Sequence, residues 1–570
     1  MRRFRRVLIV LLILLALFWW LSPGAGPSIA PGSILVVDVE GSYVEAAETP
    51  LLSRLLGDGR RPFAALLSEL HKAARDDRLS AVVLRIRDLE LGWAKAQEIR
   101  EAVGRISAAG RKTVAYLELA SLGANLEYYV ATAADEVVLS PAARAPVIGL
   151  AAEYIFLGGV WEHLGLELEV ERIGEYKTFA DTFARKTMSD PHREMANSLL
   201  DSIDAQFVEG IATGRGLNPD LVRKAIDVAA MTPDEMIALD LIDGSYFEDQ
   251  VVANLGGGAV VRGDDYAAVD PASVGFHPVA QFAVVYGSGA VVTGRGTSSR
   301  SGAPVLASDT VSTALREAAE DSTIRAILFR IDSPGGSALA SDVVWRATQL
   351  AKEHGKPLIV SLSDVGASGG YYVACGADAV VASPGTITGS IGVVVLRPVL
   401  GGMLAKLDIG FETLTRGAHA DLALSTRPLS DASRTRLRKE VRSIYDLFVE
   451  RVSSGRTLGA ARVDEIGRGR VWTGAQALEI GLVDELGGLY AAARRAKLAV
   501  GLDPDADVSL VPFPRPQPLA EQVAEALQRA AIRAAPALPL PRLGRLAADW
   551  LASAPLDAPV LLPPFVWSIQ

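Results

Sequence analysis

A single cysteine, Cys375, stands in a chain of 570 residues, so no intrachain disulfide forms and no cysteine-based metal cluster is assembled. That economy fits an oxidising compartment, and Cys375 itself is expected to pack as a small apolar residue on the helix after Ser368. Histidine is almost as sparse: the six are His71, His163, His192, His277, His354 and His419, and none stands in a recognisable triad motif. A long basic run is missing beyond the extreme N-terminus, and the formal charge is −10, which argues against nucleic acid as a partner. Wholesale disorder is excluded as well, because 49% hydrophobic and 22% charged residues supply cores for two or more domains.

The N-terminus carries an address. Met1-Arg2-Arg3-Phe4-Arg5-Arg6 precedes a wholly apolar run from Val7 to Leu21, and no charge follows until Asp38. Arginines ahead of an apolar run orient it with the N-terminus in the cytoplasm, and Trp19 and Trp20 suit the far interface. The run is short against the ~20 residues of a usual span, and Ser28-Ile29-Ala30 also fits a small-residue cleavage site. The aromatic end and the uncharged continuation favour a retained anchor over about 7–22. Residues 1–33 are therefore expected to be a cytoplasmic basic segment, a single-pass anchor in a bacterial inner membrane and a Pro/Gly-rich linker, with the body on the periplasmic side.

Beyond the linker the chain contains one pattern twice. Leu122-Gly123-Ala124-Asn125-Leu126-Glu127-Tyr128-Tyr129, with Ala134-Asp135 and Ser140-Pro141, returns as Val365-Gly366-Ala367-Ser368-Gly369-Gly370-Tyr371-Tyr372, with Ala377-Asp378 and Ser383-Pro384. The offset is constant (368 − 125 = 243; 384 − 141 = 243), which marks an internal duplication. In both copies strand-like runs alternate with helical spacing: Ile34 to Val39, Ala81 to Ile86, helical Ala94 to Ala109, Thr113 to Leu117; then Ala326 to Ile331, helical Ser337 to His354, Leu358 to Leu362, and a short helix Gly369 to Gly376. This order predicts an α/β fold with mainly parallel sheets and sites at the carboxyl ends of strands. The expected units are 34–256, 257–502 and a Pro/Ala-rich extension 503–570.

The second copy has chemistry that the first has lost. Asp332-Ser333-Pro334-Gly335-Gly336 has paired glycines that let main-chain N–H groups approach a ligand, as an oxyanion site requires, whereas the matching Arg87-Asp88-Leu89-Glu90-Leu91 has acidic side chains there. Ser368 replaces Asn125 and stands before a helix, with the Gly369 N–H facing any developing negative charge; Gly336 N–H is the second candidate donor. Each turn alone fits an ordinary strand-to-helix connection, but both occur in one copy and both are lost from the other. A serine nucleophile needs a base. A buried lysine qualifies once desolvation makes its amine neutral, although spacing alone leaves Lys177 one lysine among many.

Four segments together, Gly366-Ala367-Ser368-Gly369-Gly370-Tyr371-Tyr372, Asp332-Ser333-Pro334-Gly335-Gly336, Thr388-Gly389-Ser390-Ile391-Gly392 and Gly174-Glu175-Tyr176-Lys177-Thr178, resemble the long, duplicated form of the signal peptide peptidase A (protease IV) family over roughly Ile34 to Val500. The resemblance implies a membrane-anchored serine endopeptidase made of two tandem Clp/crotonase-like repeats, each a ββα superhelix. It implies Ser368 as nucleophile, Lys177 from the first copy as general base, Gly369 and Gly336 as oxyanion hole, and Ser390 as the group that orients the lysine. It also implies hydrophobic peptide substrates such as signal-peptide remnants, a tetrameric, bowl-like homo-oligomer, and no metal or other cofactor. The region of the second copy that matches Lys177, Thr415-Arg416-Gly417-Ala418-His419, has no lysine.

Three rival readings follow from the same residues. Gly366-Ala367-Ser368-Gly369-Gly370 also satisfies the G-x-S-x-G pattern of esterases with a Ser-His-Asp triad, for which His419 is the downstream histidine. A non-catalytic membrane scaffold and a crotonase-like acyl-CoA enzyme are the others; the intact serine and lysine disfavour the first, the N-terminal anchor the second. In the tail, Leu519 to Ala534 has amphipathic helical spacing broken by Pro536 to Pro541, and Trp550 and Trp567 suit a membrane surface.

Overall fold

The computed structural model describes residues 27–46, 61–119, 123–144, 147–299, 302–515 and 560–561. The expected anchor over about 7–22 lies outside the described residues, as do Leu519 to Ala534, Trp550 and Trp567. Among the described residues, no helix is long and apolar enough to cross a membrane.

Each copy builds a parallel sheet whose strands are apolar on both faces. In the first, Ser33–Val44 lies beside Leu79–Glu90, followed by Lys112–Leu117, Glu136–Leu139 and Gly244–Ser245. Alternation sends Leu35, Val37 and Val39 into one core and Ile34 and Val36 into another, so the run Ile34 to Val39 needs no polar face. Helix Trp93–Ala108 crosses between two of these strands, buries Trp93, Ala96, Ile99 and Val103 at helical spacing, and ends before Gly110, whose φ of +85° suits a helix stop.

The second sheet repeats the scheme around Leu358–Ala367, which pairs with Ile324–Ser333 on one side and with Ala379–Ala382 and Ile387–Gly389 on the other. Ile327, Phe329 and Ile331 enter one core, Ala326 and Leu328 the opposite one. Cys375 is buried in the first of these cores just past the short helix Gly369–Ala374.

A third sheet joins the copies. Glu167–Ile173 of the first runs antiparallel to Val393–Val399 of the second, from Ile173 opposite Val393 to Glu167 opposite Val399. The buried Glu169 and Glu171 on this strand meet Arg397 at 2.5 Å and Arg438 at 3.0 Å. Consequently the chain leaving Ile173 is delivered onto the second copy.

Both unit boundaries differ from the sequence expectation. Val260–Arg262 pairs with Ser33–Val44, so the first sheet runs past 256, because a three-residue edge strand is too short for periodicity to register. Val508–Phe513 pairs with Ala280–Ser288, so the second unit runs past 502. The Pro/Ala-rich composition beyond 503 hides this strand, and Pro512 is accommodated in it because an edge strand has one side with no ladder to complete.

Candidate active site

The strand Leu358–Ala367 ends in a forced turn. Ser368 has φ 55° and ψ −116°, a conformation that costs a non-glycine residue about 1–3 kcal/mol and persists only where its surroundings over-determine it. Here they do: Ser368 N–H donates to Gly389 O at 2.8 Å, and Tyr372 N–H donates to Ser368 O at 2.8 Å. A Cβ on Gly369 would lie 2.7 Å from Ser341 Oγ and 3.0 Å from Gly336 N, and one on Gly370 would lie 2.5 Å from Ser333 O. Bare glycines at 369 and 370 are thus what allows the Ser368 turn and the Asp332–Gly336 turn to touch.

The second turn is held from behind. Ser333 Oγ donates to Gly289 O at 2.6 Å and accepts from Gly335 N–H at 3.2 Å, while Val291 N–H donates to Gly335 O at 2.9 Å. Gly336 is pressed against Val291, whose carbonyl oxygen would stand 2.2 Å from any Cβ there. On its other side lies Val560–Leu561, running antiparallel to Gly336–Ser337 and to Val394. A short segment of this chain therefore occupies the strand position between the Gly336 turn and Val393–Val399.

Lys177 arrives from the first copy. After Ile173 the chain turns at Gly174, and the Lys177 N–H donates back to Gly174 O at 3.1 Å. The side chain is fully buried and ends with Nζ 2.5 Å from Ser368 Oγ, 2.8 Å from Ser390 O and 2.9 Å from Ser390 Oγ. Burial holds the pKa of this amine well below the ordinary 10.5. Ser390 is itself in the left-handed region, φ 55°, with its N–H donating to Arg470 O at 2.7 Å. The structure thus gathers Lys177, Ser368 and Ser390 at one point and sets Gly336 against Gly369 beside it.

Two contributors escape sequence reasoning. Gly469, φ +80°, packs on Lys177 so closely that a Cβ would lie 2.3 Å from the lysine's backbone N. Lys95 reaches across from the first copy to Asp332 and Asp364, which flank the two turns. The paired glycines of Gly467-Arg468-Gly469-Arg470 are the only hint of the former, and nothing local signals the latter.

The corresponding place in the first copy is closed. Asn125 Nδ2 donates to Gly149 O at 2.8 Å and its Oδ1 accepts from Ile148 N–H at 3.1 Å, while Glu127, where the second copy has Gly370, accepts from Leu89 N–H at 2.8 Å. His419, the histidine of the esterase reading, bonds Ser433 Oγ at 3.1 Å rather than Ser368.

Comparison with known proteins gives the chain's family. The chain matches the model of peptidase family S49 over residues 106–262 and 350–503, more than half its length. It is 33% identical over 496 residues to the chloroplastic serine protease SPPA of Arabidopsis thaliana, covering 85% of this chain and 72% of that protein. Protease 4 of Haemophilus influenzae is 28% identical over 466 residues, covering 77% and 73%, and Protease 4 of Salmonella typhi 28% over 534 residues, covering 86% and 82%. A buried serine on a strained turn, followed directly by Gly369 and Gly370, stands in the second of the two matched segments, and the chain belongs to peptidase family S49 as a serine-type peptidase.

Proposed function

We propose that this peptidase works through a Ser368/Lys177 dyad and degrades apolar peptides, such as the remnants of cleaved signal peptides, while anchored to the inner membrane by residues 7–22. The observation that carries the dyad is the 2.5 Å approach of a fully buried lysine amine to Ser368 Oγ. A neutral amine has two N–H groups and one lone pair. Donating to Ser390 O and Ser390 Oγ uses the first two, which leaves the lone pair facing the Ser368 hydroxyl.

The reaction is acyl transfer. Lys177 Nζ takes the Ser368 proton as Oγ bonds to the substrate carbonyl carbon, and the N–H groups of Gly336 and Gly369 donate to the resulting oxyanion. Collapse breaks the C–N bond, with the Lys177 ammonium protonating the leaving nitrogen. Water then attacks the ester on Ser368; Lys177 accepts its proton and returns one to Oγ.

Substrate binds as an extended strand between Gly336–Ser337 and Val393–Val399, where main-chain hydrogen bonds give affinity and alternate side chains give specificity. The pairing of Val560–Leu561 in that position supports this mode. The two copies are read as Clp/crotonase-type repeats, and several chains assemble into a homo-oligomer around a shared chamber that admits unfolded peptides.

The test compares the parental protein with Ser368→Ala, Lys177→Ala and His419→Ala, using an apolar peptide and a fluorophosphonate probe. Cleavage and labelling are expected to vanish in the first two and persist in the third. Retained labelling in Lys177→Ala, or its loss in His419→Ala, overturns the assignment of the base.

A further inference from the structure

Behind the two glycine turns lies a charge cluster to which both copies contribute, buried at Lys95, Arg330, Glu45 and Glu98 and half-buried at Asp332 and Asp364. Lys95, on helix Trp93–Ala108 of the first copy, is 3% exposed and places Nζ 2.6 Å from Asp332 Oδ2 and 2.7 Å from Asp364 Oδ2. Asp332 opens the turn that ends at Gly336, and Asp364 stands four residues before Ser368 (368 − 364 = 4). The carboxylates do more than bind the ammonium. Asp332 Oδ1 accepts from Val365 N–H at 3.1 Å, tying one turn to the other, and Asp364 accepts from Gly92 N–H and Lys95 N–H, each at 3.0 Å, tying the second turn to the helix start.

Lys95 is the charge that makes this closeness tolerable. Around it are Glu45 at 3.6 Å, Asp332 and Asp364, and a second cation, Arg330, bonds Glu45 at 2.8 Å and Glu98 at 2.7 Å. Among the described residues carboxylates therefore outnumber cations in the cluster, and like charges in a low-dielectric site repel strongly. Burial raises the Asp332 carboxyl pKa; Lys95 opposes that rise while Asp364 and Glu45 add to it. Without the ammonium, nothing within the pair offsets the repulsion of Asp332 and Asp364, and both turns lose their common fixed point.

We propose that Lys95 is a positioning residue for peptide hydrolysis, whose ammonium holds the Asp332–Gly336 and Asp364–Ser368 turns at the spacing that brings the Gly336 N–H and Ser368 Oγ onto one substrate carbonyl. The inference rests on the Ser368 reading. It assigns the first copy a second contribution to the site, delivered through a different element from Lys177.

The test uses the full-length protein with Lys95→Met, Asp332→Asn and Ser368→Ala, reading kcat and KM separately on an apolar fluorogenic peptide, the rate of fluorophosphonate labelling, and thermal unfolding. A displacement of about 1 Å costs about 100-fold, so Lys95→Met is expected to lose about that in kcat and to label correspondingly slowly, with KM within about twofold. Asp332→Asn is expected to lose kcat in the same direction. Parental kcat in folded Lys95→Met, with Ser368→Ala inactive, overturns this inference alone; an active Ser368→Ala overturns the reading beneath it. Should Lys95→Met fail to fold, Asp332→Asn decides: reduced kcat at unchanged KM supports the proposal, and parental kcat or failure to fold overturns it.

Discussion

Replacing Gly469 by alanine is the sharpest probe of how Lys177 is held. The added Cβ would stand 2.3 Å from Lys177 N and 2.6 Å from both its Cα and Cβ, all atoms that cannot swing aside as a flexible side-chain end would. Ordinary carbon contacts are about 3.5–4.0 Å, so either segment must retreat by about 1 Å. A left-handed alanine costs about 1–2 kcal/mol and overpacking about 1–3 kcal/mol, giving a destabilisation of about 2–5 kcal/mol. The same retreat withdraws the amine from Ser368 and is expected to lower kcat about 100-fold. Gly216→Ala supplies the control, since Gly216 has φ +63° with nothing within 4 Å of its would-be Cβ. It is expected to lose stability from the backbone term alone and keep parental kcat. Peptide turnover and thermal melts of both variants measure the difference; kcat within twofold of parental in Gly469→Ala, or equal losses in the two variants, refutes the reasoning.

Three further outcomes are expected. The folded Lys177 amine has a lowered pKa, so between that value and 10.5 the folded protein binds fewer protons than the unfolded chain and stability rises with pH; kcat/KM should instead rise as pH climbs through the folded pKa and stay level across that window, and Lys177→Met should abolish both activity and this part of the stability slope, as a pH series of melts and rates will report. Arg330→Met leaves Glu98 buried without its cation and Glu45 with Lys95 alone, 3.6 Å away, and should cost about 3–5 kcal/mol in denaturant unfolding, with Arg330→Lys a poor rescue because one ammonium cannot serve Ser361, Ser363, Glu45 and Glu98 together. Ending the chain at residue 559 removes the strand beside Gly336–Ser337 and Val394 and should lower KM for apolar peptides at unchanged kcat; an unchanged KM counts against the strand-addition mode.

Much of the scaffold was readable before any coordinates, for a physical reason. Parallel strands buried on both faces are continuous apolar runs, and Ile34 to Val39 or Ala326 to Ile331 advertise themselves as such. The turn glycines at 335, 336, 369 and 370 were equally legible, because their need for space is written in residue type. Lys177 could be named only through family resemblance, since its surroundings are built from residues such as Gly469, 292 positions away (469 − 177 = 292). Lys95 looks like any polar residue on a half-buried helix, and its partners lie more than 200 positions downstream, at 332 and 364. Pair identities of this kind exist only once the two copies dock.

The 191-residue separation between amine and hydroxyl also has a temporal meaning. A ribosome completes the segment bearing Lys177 long before it reaches Ser368, and under the proposed dyad neither segment alone carries both base and nucleophile. Peptide cleavage by that dyad therefore waits until both halves have been made and have folded together, and the cutting centre forms only on a chain that has already docked its two copies.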